Sequence, residues 1–327
     1  MRIAVTGSIA TDHLMTFPGR IADQLIPDRL DRVSLSFLAD ELEVRRGGAA
    51  ANISYGLGGL GLTPLLVGAV GSDFAEYEQW LKDHGVDTGA VHVSTRRQTA
   101  RFLCLTDQDA NQIAAFYAGA MAEAGDIDLG RLDPLPDLVV VAPDAPDAML
   151  RHTERCRALG IAFAADPSQQ LARLDGEQTR TLVTGARWLF TNEYEAALLL
   201  ERTGWSRDDV LGQVGAWVTT LGADGVRVEA ADRPAFTVPA VAGVRVADPT
   251  GAGDAFRAGF LAALARGLSR LRAAQLGCAL ASLALSETGS QAYEPDPGRL
   301  TTVIAESYGT AAAEELAAHL GGLPCPR

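Results

Sequence analysis

The sequence predicts an α/β fold in which a doubly wound, mostly parallel sheet is flanked by helices, with a small separate sheet beside it. Short apolar runs alternate with helical segments along the 327 residues, as they do where helices join parallel strands. Two segments break this rhythm by alternating apolar and polar residues, which is typical of strands with one solvated face. The 47% content of hydrophobic residues is sufficient for a substantial core.

The apolar runs predict the strands of the main sheet. They are "RIAVTG" near the start, "PLLVGAVG" from Pro64, "DLVVVA" from Asp137, "IAFAAD" from Ile161, "WLFTN" from Trp188 and "WVTTLG" from Trp217. The helical segments between them are "AAANISYGLGGLG" from Ala49, "YEQWLKDHG" from Tyr77, "MLRHTERCRALG" from Met149 and a long helix from Asp254.

The two alternating segments are "VSLSFLADELEVRR", residues Val33–Arg46, and "TARFLCLTDQDANQIAAFY", residues Thr99–Tyr117. We expect them to form a lid over a crevice at the carboxyl ends of the main strands, where open α/β sheets bind ligands. The predicted lid takes in residues 13–46 and 98–118. Because no repeat or linker divides the chain, we expect one domain over residues 1–327, which ends in a loose tail, "GGLPCPR".

The charge balance excludes some classes of partner. The chain has 28 basic and 41 acidic residues, a formal net charge of −13, and such a surface repels nucleic acid and anionic membranes. An anionic small molecule is still compatible with it, because a helix N-terminus binds phosphate locally. The sequence has no C-x-x-C pair and no apolar run of the length of a signal peptide or membrane span, so we expect a cytoplasmic protein without zinc or disulfides.

The run "GLGGLG", Gly56–Gly61, matches the glycine spacing of a dinucleotide-binding turn. That turn requires a strand before it and a helix after it, whereas here the preceding segment is helical and the following one is a strand. We interpret these glycines as a site of close helix packing followed by a helix end. An NAD-dependent oxidoreductase remains as an alternative, and no P-loop motif is present.

The segment "DPTGAGDAFRAGFLAAL" sets small residues before a helix. Gly251, Ala252 and Gly253 leave their backbone N–H groups free to converge on an anion at the positive end of that helix. Asp254 at the same turn can accept a proton, so the pair suits activation of a hydroxyl that attacks phosphorus. The alternative is a simple capped helix with Asp254 as its N-cap.

Three other segments suggest ligand contacts. In "RGGAAAN", Gly47 and Gly48 allow close approach to a sugar whose hydroxyls Asn52 can bind; the alternative is a plain turn and helix start. In "TNEYE", Asn192 and Glu195 lie one helical turn apart and can face the water shell of Mg²⁺, or can form an N-cap with a first-turn acid. The turn "TLGADG", residues 220–225, either contacts a nucleotide or is an ordinary β-turn.

In this order along the chain, these segments resemble the ribokinase-like PfkB family of carbohydrate kinases. "RGGAAAN" and "DPTGAGDAFRAGFL" match the two signatures of that family, and the resemblance covers almost the whole chain. "AVTGSIATDHLMTFPGR", "VSLSFL", "TARFLCLTD" and "FAADPSQQLARL" are similar to the bacterial adenosine kinases within it. The loop "DPSQQLARL" departs from the sugar kinases of the family, which favours a nucleoside; Arg173 in this loop either neutralises phosphate charge or is a solvated residue.

The resemblance implies a ribokinase-like fold and roles for particular residues. The nucleoside would contact Ser8, Asp12, Ser36, Gly48, Asn52, Phe102, Phe116, Gln169, Gln170 and Asp254. ATP would contact Asn192, Thr220, Leu221, Gly222, Ala223, Asp224, Gly225 and Gly253. Asp254 would be the catalytic base beside Gly251, Ala252 and Gly253, with Mg²⁺ held through water near Asn192 and Glu195. K⁺ activation and a homodimer are further features of the family.

These roles predict transfer of the γ-phosphoryl group of ATP to the 5′-hydroxyl of adenosine, which gives AMP and ADP in purine salvage. Purines stack on aromatic rings, and a glutamine amide offers both a donor and an acceptor to an adenine edge. The alternatives are a ribokinase-like sugar kinase, a kinase for another nucleoside, and a non-catalytic nucleoside sensor.

Overall fold

The computed structural model describes residues 1–25, 32 and 34–320. Its strands are β1 Ile3–Thr6, β2 Ala10–Thr16, β3 Glu41–Gly47, β4 Leu65–Val67, β5 Ala69–Val70, β6 His92–Val93, β7 Ala100–Thr106, β8 Gln112–Tyr117, β9 Leu138–Val141, β10 Ala162–Ala165, β11 Trp188–Asn192, β12 Trp217–Thr220, β13 Val226–Ala230 and β14 Arg233–Val238. The α-helices are α1 Ala49–Gly59, α2 Ala75–Asp83, α3 Pro146–Leu159, α4 Gly176–Val183, α5 Glu193–Thr203, α6 Arg207–Gln213, α7 Ala252–Ala265, α8 Arg270–Leu285, α9 Pro297–Tyr308 and α10 Thr310–Leu320.

The main sheet has eight strands in the order β14-β13-β12-β11-β10-β9-β1-β4. The strands from β4 to β12 in this order pair in parallel, and β13 and β14 extend the sheet antiparallel at one edge. Successive residues of one strand face opposite cores: Val140 packs with α1, α2 and α7–α10, whereas Val139 and Val141 pack with α3–α6. The predicted doubly wound α/β fold is therefore confirmed.

A separate sheet of four strands has the order β3-β2-β7-β8. β2 pairs in parallel with β7, and the other neighbours are antiparallel. The sheet begins at Ala10 rather than at residue 13. The prediction of a strand from Val33 was wrong for residues 34–40, because β2 ends at Thr16, opposite Glu41, and offers no partner beyond it. Val33 itself lies outside the described residues.

The "GLGGLG" run lies at the end of a helix, as its interpretation as a site of close helix packing predicts. It ends α1, and the strand β4 follows it, so the order of elements is the reverse of a dinucleotide-binding turn. A Cβ at Gly56 would lie 2.6 Å from Cβ of Ala258, and one at Gly58 would collide with the carbonyl oxygen of His84. These glycines allow close packing against α7 and the end of α2.

The predicted loose tail "GGLPCPR" lies outside the described residues. Within residues 1–25, 32 and 34–320, no helix combines the length and apolar character needed to cross a membrane.

Candidate active site

A cavity of about 1220 Å³ lies between the carboxyl ends of the central strands and the four-stranded sheet. Ser8, Pro143, Ser168, Asn192 and Thr220 line it from the ends of β1, β9, β10, β11 and β12, or from just beyond them. Parallel strands end at the same edge of the sheet, which is why segments distant in sequence meet here. The four-stranded sheet contributes Ala10, Asp12, Phe102 and Phe116 to the same cavity.

Helix α7 begins at this cavity with the glycine turn. Gly251 is its N-cap at φ 79°, a left-handed conformation that favours glycine, and a Cβ there would lie 2.5 Å from Cβ of Ser290. The first N–H groups of a helix have no acceptor within it, and Gly251, Ala252 and Gly253 all line the cavity. The Ala252 amide donates to the Pro249 carbonyl oxygen at 3.3 Å in this structure. Asp254 is the third helical residue, so the interpretation of Asp254 as the N-cap was wrong.

Asp254 lines the cavity, and its carboxylate accepts a hydrogen bond from Asn52. Asn52 Nδ2 donates a hydrogen bond of 2.8 Å to Asp254 Oδ2, while Asn52 Oδ1 accepts from Ser290 Oγ and Gln291 Nε2. Burial raises the pKa of Asp254, and Arg257 and the Asn52 hydrogen bond lower it. Asn52 is buried and does not line the cavity, so its contact in this structure is with the carboxylate rather than with the cavity.

The predicted sugar side of the cavity combines residues from both sheets. Asp12 lines it from β2, and burial raises the pKa of this carboxyl while Arg45 lowers it. Gly48 precedes α1 at φ 95°, where a Cβ would lie 2.5 Å from the Ser8 carbonyl oxygen. The Ser8 hydroxyl accepts a hydrogen bond of 3.0 Å from the Ala49 amide. Ser36 is exposed and does not line the cavity.

Aromatic and amide groups also line the cavity. Phe102 and Phe116 are directly opposed across β7 and β8, and both line the cavity. Gln169 and Gln170 line it from the turn after β10, in which Ser168 has φ 44°. Gln170 is buried, and no group among the described residues donates a hydrogen bond to its Oε1. Such a buried acceptor requires a donor, and a ligand in the cavity can supply one.

Asn192 and Glu195 form a reciprocal capping box at the start of α5. Asn192 Oδ1 accepts from the Glu195 amide and Glu195 Oε2 accepts from the Asn192 amide, each at 2.8 Å. Both residues also line the cavity, so the same two side chains cap α5 and border the cavity. The other carboxylate oxygen, Glu195 Oε1, has the Ser168 hydroxyl at 3.4 Å.

The turn after β12 enters the cavity with only part of its predicted set. Thr220, Gly222, Ala223 and Gly225 line the cavity, whereas Leu221 and Asp224 do not. Gly225 has φ 97°, and a Cβ there would collide with the backbone of Val238. The turn therefore presents mainly backbone to the cavity.

The family of the chain follows from a match over most of its length. A model described as pfkB family carbohydrate kinase matches residues 9–297. The chain belongs to the PfkB family of carbohydrate kinases. As a PfkB kinase, the protein is a phosphotransferase with an alcohol acceptor.

Two relatives of this PfkB kinase are informative. The nucleoside kinase of Methanocaldococcus jannaschii is 30% identical over 251 residues, which are 76% of this chain and 82% of that protein. The structure of the Burkholderia thailandensis nucleoside kinase in complex with inosine has a TM-score of 0.82 at 33% identity and covers 94% of this chain and 98% of that one. The same enzyme in complex with ADP-inosine gives a TM-score of 0.81 at 34% identity, with coverage of 94% and 96%.

Sequence reasoning gave no role to Arg257, although the structure places it in the cavity. Its guanidinium forms a buried ion pair with Asp166 after β10. A signal was present in the sequence, because "AFRAGFLAAL" holds a single cation inside an otherwise apolar helix. Sequence reasoning also missed an apolar wall, formed by Ala240, Val241, Ala242, Val244, Val246, Cys278, Ala281 and Leu285.

The site offers few protein ligands to a metal. In the part of the chain that the structure describes, no three His, Cys, Asp or Glu side chains are grouped to hold an ion. Mg²⁺ in kinases is bound by one or two carboxylates, water and the substrate phosphates, so Glu195 Oε1 beside the cavity fits a water-mediated ion.

Proposed function

We propose that this PfkB kinase transfers the γ-phosphoryl group of ATP to the 5′-hydroxyl of a purine nucleoside, with adenosine as the preferred acceptor. The observation that carries the proposal is the opposed pair Phe102 and Phe116 in the cavity that also holds Asp254. Two aromatic side chains suit a flat base, whereas a sugar alone offers no ring to stack on them. The complexes of the Burkholderia enzyme with inosine and with ADP-inosine support a nucleoside acceptor.

The buried oxygen of Gln170 supports recognition of the base edge. Oε1 can accept a hydrogen bond from the exocyclic amino group of adenine. The ring N–H of inosine is also a donor, so a kinase for inosine is the second candidate. The inosine complex of the relative is the observation that favours it.

The geometry of the glycine turn supports the chemical step. Asp254 accepts the hydroxyl proton as the acceptor oxygen bonds to the γ-phosphorus and the bond to the β-phosphate oxygen breaks. The N–H groups of residues 251–253 stabilise charge on the transferring group, and for Ala252 this requires exchange of its long bond to the Pro249 carbonyl oxygen. Asn192 and Glu195 are the residues that would hold the water shell of Mg²⁺, which when bound with ATP would neutralise phosphate charge. For the other predicted residues that line the cavity, we propose the roles that the resemblance to the PfkB family implies.

We propose that the four-stranded sheet is the lid of the cavity. Its strands carry Asp12, Phe102 and Phe116 to the side of the cavity opposite the main sheet. Closure of this lid over the nucleoside would exclude water, which competes as a phosphoryl acceptor. We also propose K⁺ activation, a homodimer and a cytoplasmic role in purine salvage, all by resemblance to the family.

An acceptor panel tests the proposal. The enzyme is incubated with Mg-ATP and adenosine, inosine, guanosine, ribose or fructose, and the products are identified by mass. Adenosine is expected to give AMP and ADP at the highest kcat/KM, whereas faster phosphorylation of ribose would contradict a nucleoside kinase. Asp254→Asn is expected to lower kcat about 10²- to 10⁴-fold, as loss of a general base does.

The same panel separates the alternatives. No turnover with any acceptor, together with tight nucleoside binding, would indicate a sensor. NAD binding in a titration would revive the oxidoreductase alternative.

A further inference from the structure

Arg257 is a buried cation on the helix that carries the proposed base. It follows Asp254 by three residues, so both side chains lie on the same side of α7. Its side chain is 8% exposed and lines the cavity. A charge this deeply buried is costly unless it is paired, and a retained buried charge at a cavity is a candidate for function.

The partner of Arg257 is Asp166, whose side chain is 1% exposed. Arg257 Nη2 donates to Asp166 Oδ1 at 2.6 Å, and Nε lies 2.6 Å from Oδ2 as a charge contact without the alignment of a hydrogen bond. The hydrogen bond and the close charge contact together hold the guanidinium against the carboxylate. The contact therefore determines where the third nitrogen, Nη1, is directed.

Nη1 lies against the glycine turn. A Cβ at Gly253 would come within 2.8 Å of it, so glycine at this position is what lets the guanidinium approach the start of α7. Among the described residues Nη1 has no hydrogen-bond partner, and Arg257 borders the cavity there. Its N–H donors are thus available beside the backbone N–H groups of residues 251–253.

The surrounding charges explain why a cation is needed here. Three carboxylates, Asp166, Glu195 and Asp254, act electrostatically on Arg257. Without the guanidinium these carboxylates would repel the phosphate of an incoming nucleotide. One cation reduces that repulsion at the point where the phosphoryl group would be transferred.

We propose that Arg257 is a catalytic residue whose Nη1 donates hydrogen bonds to the transferring phosphoryl group, and that Asp166 is the positioning residue that aims it. The inference rests on the proposed function. During transfer the acceptor oxygen bonds to phosphorus, the hydroxyl proton passes to Asp254, and the electron pair of the broken bond leaves with ADP. Negative charge spread over the equatorial phosphoryl oxygens strengthens their hydrogen bonds to Nη1 in the transition state.

A second effect of Arg257 is on Asp254 itself. The positive charge of Arg257 lowers the pKa of Asp254 and opposes the effect of burial. Glu195 from α5 raises the pKa of Asp254, and Asp254 in turn raises the pKa of Asp166 after β10, Tyr77 from α2 and Tyr293 before α9. Loss of the guanidinium is therefore expected to move the acid limb of the kcat profile to higher pH.

The test compares Arg257→Gln with the double variant Asp166→Asn/Arg257→Gln. The single variant leaves a buried carboxylate unpaired and can fail to fold, whereas the double variant removes both buried charges and is expected to keep the fold. Both are expected to lower kcat at least about 100-fold with the acceptor KM within about threefold, because loss of one transition-state donor has that size. Arg257→Lys should recover only part of the rate, since it keeps the charge and loses the planar fork.

The matched control is Arg266→Gln at the other end of α7, where the guanidinium donates to the carbonyl oxygens of Leu60 and Ala262 away from the cavity. It should leave kcat unchanged. A folded double variant with kcat within about fivefold of the parent, or an acid limb that does not move in folded Arg257→Gln, would overturn the inference. Turnover by the parent with any acceptor suffices for this test, and failure of the parent with all acceptors would instead reject the proposed function.

Discussion

Asn52 Nδ2 donates a hydrogen bond of 2.8 Å to Asp254 Oδ2, so a helix near the start of the chain orients the carboxylate at the start of α7. The Asn52 amide is itself oriented, because its Oδ1 accepts from Ser290 and Gln291. The proposed base thus depends on three segments that are far apart in sequence.

Asn52→Asp is expected to raise the pKa of Asp254, since a donor to its charged form is replaced by a second carboxyl group. The acid limb of the kcat/KM profile should move to higher pH, and kcat/KM at pH 7 should fall at least about tenfold. Asn52→Ala is the matched variant without the added charge and should give a smaller shift. Identical profiles for Asn52→Asp and the parent would contradict the role given to this hydrogen bond.

Gly251→Ala is expected to destabilise the protein more than Gly267→Ala. The two glycines have nearly the same φ, 79° and 78°, but a Cβ at Gly251 meets Ser290 whereas one at Gly267 meets nothing within 4 Å. The left-handed backbone alone costs about 1–2 kcal/mol for alanine, and the contact with Ser290 adds to that. Thermal melts of the two variants measure the difference, and equal melting temperatures would contradict it.

Phe102→Ala and Phe116→Ala are each expected to raise KM for adenosine without raising KM for ATP. Stacking on an aromatic ring contributes roughly 1–3 kcal/mol per base, which corresponds to about 5- to 150-fold. The control is Ile113→Ala on the other face of β8, which does not line the cavity. Equal effects of the phenylalanine and isoleucine variants on KM would indicate a loss of sheet stability instead.

Glu195→Gln is expected to raise the Mg²⁺ concentration needed for half-maximal activity. Glutamine can keep the hydrogen bond from the Asn192 amide, so α5 keeps its cap while the carboxylate charge beside the cavity is lost. Glu193→Gln in the same first turn of α5 is the matched control, because Glu193 does not line the cavity. A Mg²⁺ dependence that is unchanged in Glu195→Gln would remove this residue from the proposed ion site.

Asp144→Asn is expected to stabilise the protein more at pH 8 than at pH 5. Burial raises the pKa of Asp144 to about 7, above the ordinary value of 3.8 in the unfolded chain. The folded state therefore holds a proton that the unfolded state releases, so stability falls as pH rises from about 4 to 7 and stays low above that range. The penalty at pH 8 is at most about 4 kcal/mol.

Asparagine removes this penalty and keeps an acceptor for the Ala145 amide, which now donates to Asp144 Oδ1 at 2.7 Å. Melting temperatures of parent and variant at both pH values test the prediction. Asp126→Asn, at an exposed carboxyl, is the control and should change neither. A stabilisation that is equal at the two pH values would contradict the raised pKa.

Local pattern was enough to predict most elements of the fold. The runs at Ile3–Thr6, Leu138–Val141 and Trp188–Asn192 are strands as predicted, because a strand buried on both faces is apolar at every position. The prediction of a strand over residues 34–40 was wrong, because an alternation of apolar and polar residues is also compatible with exposed coil. Leu38, for example, is 83% exposed. Pairing partners decide between the two, and they are not visible in a local pattern.

The sequence by itself determined the α/β class, the family and the glycine turn before α7, since each depends on the types and spacing of residues within a short segment. Only the tertiary structure decided that Asn52 contacts Asp254 and that Asp166 orients Arg257. It also decided that Ser36, Leu221 and Asp224 lie away from the cavity. These are contacts between elements brought together by the sheet order, and the distance between two side chains across a fold is set by packing rather than by their spacing along the chain.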